Sequence, residues 1–225
     1  MHSHLLPGID DGSPDEATSL MLIKGLQQLG YRQFITTPHI MWDVHQNDVN
    51  SISNAHGVLQ GAIQQEGLNV PLKAAAEYFL DDHFEGLLNK NIPLLTVKDN
   101  WVLVEFSFVA PPRNLKELLF ELQIKGYKPI LAHPERYSYL VSQKGWYDEL
   151  KEAGCYFQLN LLSFTGYYGK IPNELAQYLV KKKYIDLLGT DLHHERHLDA
   201  LRTSPSLMDG VKSLLDSGKI LNASL

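Results

Sequence analysis

The chain has 225 residues, 44% of them hydrophobic and 20% charged, with a net charge of −6 when its 10 histidines are counted as neutral. This size fits one α/β domain or two small ones, and the mildly acidic balance argues against broad electrostatic capture of nucleic acid. No hydrophobic run reaches membrane-spanning length, no signal peptide precedes the first polar residues, and a lone Cys155 rules out an intrachain disulfide, so a soluble cytoplasmic protein is expected.

His2-Ser3-His4 stands at the start of the numbered chain, and two imidazoles that close need something to hold them. A short strand preceding residue 1 is therefore expected. Ser13-Pro14-Asp15-Glu16 reads as a helix start, with Ser13 as N-cap, Pro14 in the first helical position and Glu16 completing a capping box. This helix runs to Leu29 and stops at Gly30. Gln33 to Thr37 reads as a strand ending at Pro38-His39, and Val49 to Gln65 as a helix. Val70 to Glu77 is a strand, Asp81 to Asn89 a helix, and Trp101 to Phe106 a strand rich in β-formers. Asn114 to Lys125 is a helix closed by Gly126, and Pro129 to Ala132 a buried strand that delivers His133-Pro134. Trp146 to Ala153 is helical, Tyr156 to Asn160 extended, and Pro172 to Lys183 helical. Ile185 to Gly189 is a strand delivering Thr190-Asp191-Leu192-His193, and Ser206 to Asp216 is the last helix. Unbroken strand–helix alternation predicts about six parallel strands with helical crossovers, a barrel-like α/β fold whose site lies at the carboxyl ends of the strands.

The chemistry-bearing residues fall at those ends: His39, Glu77, Glu105, His133, and then Asp191 with His193. In an extended segment, residues two apart share a face, so His2 and His4 can reach one ion, and Asp191 with His193 repeats the spacing. Mixed imidazole and carboxylate ligands suit zinc, manganese or iron better than magnesium or calcium. Nine candidates, counting Asp11, exceed what one ion needs and point to two or three metals sharing bridging carboxylates. Such a cluster can bind phosphate oxygens, acidify a water and stabilise a leaving oxygen, and Arg136 can grip the phosphate in a bidentate contact. Taken singly, each piece has a structural reading. Asp10-Asp11-Gly12 suits a turn, Glu77 or Glu105 a paired carboxylate, and His133 a satisfied buried histidine. His45, His56, His83, His194 and His197 have no strand-end placement and read as surface residues. Phe164, Tyr167 and Tyr168 read as packing, or as the lining of a substrate cleft.

HSHLLPGIDDG, TTPH, AAAEY around Glu77, VEFS, AHPERY and GTDLHH follow in order over residues 2–193. Together they resemble the PHP (polymerase and histidinol phosphatase) superfamily, above all its bacterial tyrosine-protein phosphatase branch tied to capsular and extracellular polysaccharide synthesis. The closing KILNAS is similar as well. The resemblance implies a distorted (β/α)7 TIM-like barrel, one domain over residues 1–225, with up to three metals, usually manganese or iron. It implies His2, His4, Asp11, His39, Glu77, Glu105, His133, Asp191 and His193 as metal ligands, and Arg136 as the phosphate-binding arginine. Arg136, Asp11 and His193 are the catalytic candidates. Relatives often carry a second arginine after the Asp-x-His pair, for which Arg196 and Arg202 are both available.

The expected activity is hydrolysis of phosphotyrosine by metal-activated water, on a tyrosine kinase tail that regulates polysaccharide export. Cysteine catalysis is excluded, because it needs a Cys-x5-Arg loop and Cys155 is followed six places later by Leu161. The alternatives are a small-molecule phosphomonoesterase, such as a histidinol-phosphate phosphatase, and a non-catalytic metal-binding docking domain.

Overall fold

Residues two apart along a strand share a face, so a strand can carry an apolar side chain at its base and a polar one at its tip on the same side. Trp101-Leu103-Glu105, Ala75-Glu77 and Leu187-Gly189-Asp191 all have this form. The computed structural model describes the backbone of residues 1–225 and the side chains of all but Pro205, Ser206, Met208, Asp209 and Ser213. Its strands are β1 (Phe34–Thr36), β2 (His39–Ile40), β3 (Leu72–Ala74), β4 (Glu77–Phe79), β5 (Trp101–Glu105), β6 (Lys128–Ala132), β7 (Tyr156–Asn160) and β8 (Leu187–Gly189). The helices are α1 (Glu16–Gln28), α2 (Val49–Gln65), α3 (Asp82–Asn89), α4 (Leu115–Ile124), α5 (Gly145–Glu152), α6 (Lys170–Lys181), α7 (Glu195–Arg202) and α8 (Pro205–Asp216).

All strand pairs are parallel: β1 pairs β3, and β2-β4-β5-β6-β7-β8 form a six-stranded sheet. Parallel neighbours need crossovers, which the intervening helices supply. One face of the strands holds a small apolar plug that includes Ile35, Ala75, Leu103, Ile130, Ala132 and Leu187. The other face, with Val102, Val104, Leu131, Phe157 and Leu159, belongs to the main core that the helices cover. The candidate ligands Glu77, Glu105 and Asp191 sit on the plug side, one step further along their strands.

Residues 1–4 lie between the two edges of this arrangement. Ser3 bridges Leu192 in parallel, Asp191 N donates to His2 O at 2.9 Å and His4 N donates to Leu192 O at 2.9 Å. On the opposite side, Thr37 N donates to Ser3 O at 2.8 Å and Thr36 Oγ1 to the same oxygen at 2.9 Å.

Three expectations are corrected. The first helix is capped by Asp15, whose side chain accepts from Thr18 N, and not by Ser13, whose hydroxyl donates to Asp15 O. The strands expected over 33–37 and 70–77 are each followed by a second short strand, so Glu77 opens β4 instead of ending its strand. Pro38 explains the break, because it has no N–H to donate; the ladder resumes when Glu77 N donates to Pro38 O at 3.0 Å. α7 was not expected: its run, ERHLDALR, has only a thin apolar stripe, Leu198 and Leu201, that is buried.

Candidate metal centre and phosphate site

Register brings the first ligands together. His39 pairs with Glu77 across β2 and β4, and Phe79 with Glu105 across β4 and β5. Since Glu77 and Phe79 share a face, His39, Glu77 and Glu105 all point to one side. His39 Nδ1 lies 3.3 Å from Glu77 and 3.0 Å from Glu105. From β6, His133 reaches Glu77 at 3.2 Å and Glu105 at 3.6 Å. From residues 1–4, His2 Nε2 lies 3.2 Å from Glu77 and 3.3 Å from Asp191, and His4 Nε2 lies 3.5 Å and 3.4 Å from the same two. Asp11 completes the rim, 3.5 Å from His39 and 3.4 Å from His193. All nine expected ligands thus meet at one place. Three overlapping sets keep their potential ligand atoms within 4.8 Å of one another: His2, His4, Glu77 and Asp191; His4, Asp11, His39 and His193; and His39, Glu77 and Glu105.

The backbone is bent to achieve this. His2, His133 and Asp191 take left-handed φ values of 61°, 34° and 46°. Each such residue costs roughly 1–3 kcal/mol, a strain that persists only where surrounding contacts over-determine it.

Charge and burial set the protonation. Burial alone would lower the His2 imidazole, but the Glu77 and Asp191 carboxylates beside it push it up to about 10. Burial likewise opposes charge on His4, and Asp10 first, then Asp191 and Glu77, hold it well above its usual range. Burial would raise Glu77 and Asp191, yet His2 and its neighbours keep both well below the carboxylate range. Without an ion, protonated imidazoles are what balance these carboxylates. Buried polar atoms with no hydrogen-bond partner converge here: both Glu77 oxygens, Glu105 Oε1, His2 Nε2, His4 Nε2 and His39 Nδ1. A buried carboxylate with neither oxygen hydrogen-bonded is very costly, and divalent cations remove that cost. The donor set, imidazole and carboxylate, fits such ions.

A second ring of residues aims the candidate ligands, and the strand-end pattern does not reveal most of it. Gln158 Oε1 accepts from His2 Nδ1 at 2.5 Å, and Asp10 Oδ2 accepts from His4 Nδ1 at 2.8 Å. Each contact leaves Nε2 free to face Glu77 and Asp191, the usual way a protein fixes a metal-binding imidazole. Asp10, open to a simple turn reading in sequence, also accepts from Gly12 N and His39 N. Gly12 must be glycine, since a Cβ there would lie 2.3 Å from His4 O. Asn160 donates to Asp191 Oδ2 at 3.0 Å, while buried Glu135 accepts from Asn160 N at 3.0 Å and Ser163 Oγ at 2.7 Å. Gln158 and Asn160 carry a signal, as polar residues inside the buried strand YFQLN; Glu135, beside Arg136, follows no strand end directly and nothing local marks it as buried.

Arg136 stands on a single 3-10 turn, Pro134–Arg136, and its Nη1 meets Asp191 Oδ2 at 2.5 Å. Of the surplus arginines, Arg202 is turned to Gln28 and Asp199, and Arg196 is exposed. The surface reading fails for His197, which is buried and accepts from His193 N at 3.2 Å. It also fails for His45, whose Nε2 is 4.0 Å from Asp11. His83 stacks on Trp42 at 3.9 Å and His56 Nε2 meets Leu72 O at 3.0 Å, so both are half-buried fold contacts; His194 is exposed.

A family model described as capsular polysaccharide synthesis, CpsB/CapC, matches residues 1–218. The chain belongs to this family. Among CpsB/CapC relatives it is 30% identical over 195 residues to the tyrosine-protein phosphatase YwqE of Bacillus subtilis, covering 86% of this chain and 76% of that one. It is 27% identical over 194 residues to the putative tyrosine-protein phosphatase CapC of Staphylococcus aureus, with the same coverage. It is 26% identical over 200 residues to the tyrosine-protein phosphatase CpsB of Streptococcus pneumoniae, covering 86% and 82%. Among solved structures, one from a study of YwqE and CpsB as metal-dependent tyrosine phosphatases superposes with a TM-score of 0.80 at 27% identity, covering 96% of this chain and 93% of that one. The family therefore agrees with the tyrosine phosphatase branch that the motif order resembled.

Proposed function

We propose that this protein is a metal-dependent protein tyrosine phosphatase, a phosphoric monoester hydrolase of capsular polysaccharide synthesis. The observation that carries the reading is Glu77: fully buried, bare of hydrogen bonds at both oxygens, and within 3.5 Å of His2, His4, His39 and His133. That is the environment of a metal-bridging carboxylate, in a member of a family whose named relatives are tyrosine phosphatases.

On this reading His2, His4, Glu77 and Asp191 would hold one ion, Asp11, His39 and His193 a second, and Glu77 and Glu105, with His133 beside them, a third. Manganese or iron is what the family resemblance implies, and the mixed donors admit zinc as well. When bound, these ions supply Lewis acidity toward phosphate oxygens and water. Three divalent cations against four carboxylates leave about +2, a match for a phosphomonoester dianion. Arg136 binds phosphate oxygens through its planar fork and is held ready by Asp191. Asp11 is the most exposed of the nine, its side chain 60% accessible, and His193 first keeps it well below the carboxylate range. It is therefore the one of the nine that an incoming phosphate would meet first. Asn160 and Glu135 hold Asp191 and the 3-10 turn in place.

The same reading treats residues 1–4 as the seventh strand of a distorted (β/α)7 barrel, within a single domain over residues 1–225. The substrate is a phosphotyrosine protein, for which we propose the tail of a tyrosine kinase governing polysaccharide export, in the cytoplasm. No described helix is long and apolar enough to cross a membrane.

Cys155 is buried and its thiol is pushed up to about 12, first by burial, so it offers no thiolate. Cys155→Ser should keep full turnover of a phosphotyrosine peptide. Thorough chelation should abolish turnover, and manganese or iron should restore it. Activity that survives complete metal removal would overturn the reading.

A further inference from the structure

The loop after β5 turns an aromatic ring outward at the edge of the site. Phe106 is buried against Tyr137, with ring centres 4.0 Å apart, yet Phe108 two residues later is 47% exposed and Val109 is 85% exposed. Phe108 is placed among the reacting groups. Its ring stacks on that of His133 at 5.6 Å and 30°, and the Arg136 guanidinium carbon lies 4.8 Å from its centre. The same guanidinium carbon lies 4.3 Å from the ring centre of Tyr168, which accepts a hydrogen bond from Asn160 at 3.2 Å and is mostly buried. Two aromatic side chains therefore flank the phosphate-binding arginine. One is fixed in the fold, and the other presents much of its surface to whatever enters.

We propose that Phe108 is the aryl-recognition residue of this phosphatase: with the phosphate at Arg136 and the ligand cluster, the ring of phosphotyrosine packs on Phe108. The inference rests on the phosphotyrosine reading and deepens it. In an aryl ester the ring is bonded directly to the bridging oxygen, so a phosphate held beside Arg136 carries its ring to the neighbouring aromatic wall. Offset or edge contacts between two rings then add to the area buried. A phosphoserine presents one methylene in the same place and gains almost none of this.

A competing role for Phe108 is to shield Arg136 and His133 without touching substrate. Phenylphosphonate and methylphosphonate separate the two, since they share the phosphonate and differ in the ring. Their binding to the metal-loaded full chain is measured by calorimetry, which needs no turnover. The wild type should favour phenylphosphonate about tenfold, Phe108→Ala should lose most of that preference, Phe108→Leu should keep part of it, and Phe108→Trp should retain it. If Phe108→Ala and Phe108→Leu weaken both phosphonates equally, or leave the preference intact, the proposal is overturned and Phe108 only positions Arg136. Failure of the underlying reading looks different: the wild type would bind both phosphonates yet not hydrolyse a phosphotyrosine peptide.

Discussion

The imidazole of His4 illustrates how a residue acquires its chemistry from a neighbour. A histidine has two ring nitrogens, and which one faces a metal depends on what the other donates to. Asp10 takes the Nδ1 proton of His4 at 2.8 Å, so Nε2 is left toward Glu77 and Asp191. Asp10→Ala should therefore lower metal affinity about 10–100-fold without removing any ligand. Asp10→Asn, which keeps an acceptor oxygen, should lie between that variant and the wild type. Titration against a competing chelator measures both, and wild-type affinity in Asp10→Ala would refute the assignment. The convergence of the candidate ligands could be read from the sequence because ionisable groups recurred beside predicted strands. Their supports could not: Gln158 and Asn160 are neutral, and their role depends on which atoms lie opposite them across β7 and β8. His197 reads as a surface residue in sequence for a related reason. It lies on α7, whose thin apolar stripe hides the fact that the helix packs back over the site.

At the level of elements, α2 and β7 match their sequence expectation residue for residue, since Asp48 and Ser51 form a capping box for α2 and YFQLN has the β-formers of a buried strand. The segment that brings His2 and His4 into place is different, because it has no propensity signal of its own. It is held by partners distant in sequence. Thr36 is the clearest of these: its hydroxyl donates to Ser3 O at 2.9 Å and accepts from Leu5 N at 3.1 Å, and it is fully buried. Thr36→Val keeps the shape and removes both bonds, leaving Leu5 N without its partner. A loss of about 1–3 kcal/mol in urea unfolding is expected. Because the loosened segment carries two ligands, metal affinity should fall as well. A variant as stable as the wild type with unaltered metal binding would mean that residues 1–4 are held mainly by the Ser3–Leu192 and Thr37 contacts.

Across the whole molecule, the apolar plug and the ligand cluster occupy the same face of the sheet, one stacked on the other, and they make opposite contributions to stability. Ile35, Leu103, Ile130 and Leu187 exclude water below, while Glu77, Glu105 and Asp191 are buried carboxylates above. The plug and the helix-covered core form without ions, so chelated protein should remain folded. The carboxylates, bare of hydrogen bonds at several oxygens, should make that form markedly less stable. A ligand that binds only the native state adds RT ln(1 + [L]/Kd), about 4 kcal/mol at a thousandfold excess over Kd. Melting temperature should therefore climb logarithmically with added manganese or iron, with a rise of roughly 10 °C at a thousandfold excess over Kd for a chain of this size. The Glu77→Gln variant should gain little from metal, and in chelator it should melt no higher than wild type, since His2 and His4 lose the anion that faces them. A wild-type melt indifferent to both chelator and metal would show that imidazoles alone balance the carboxylates, and that the cluster is a structural charge network instead of a metal centre.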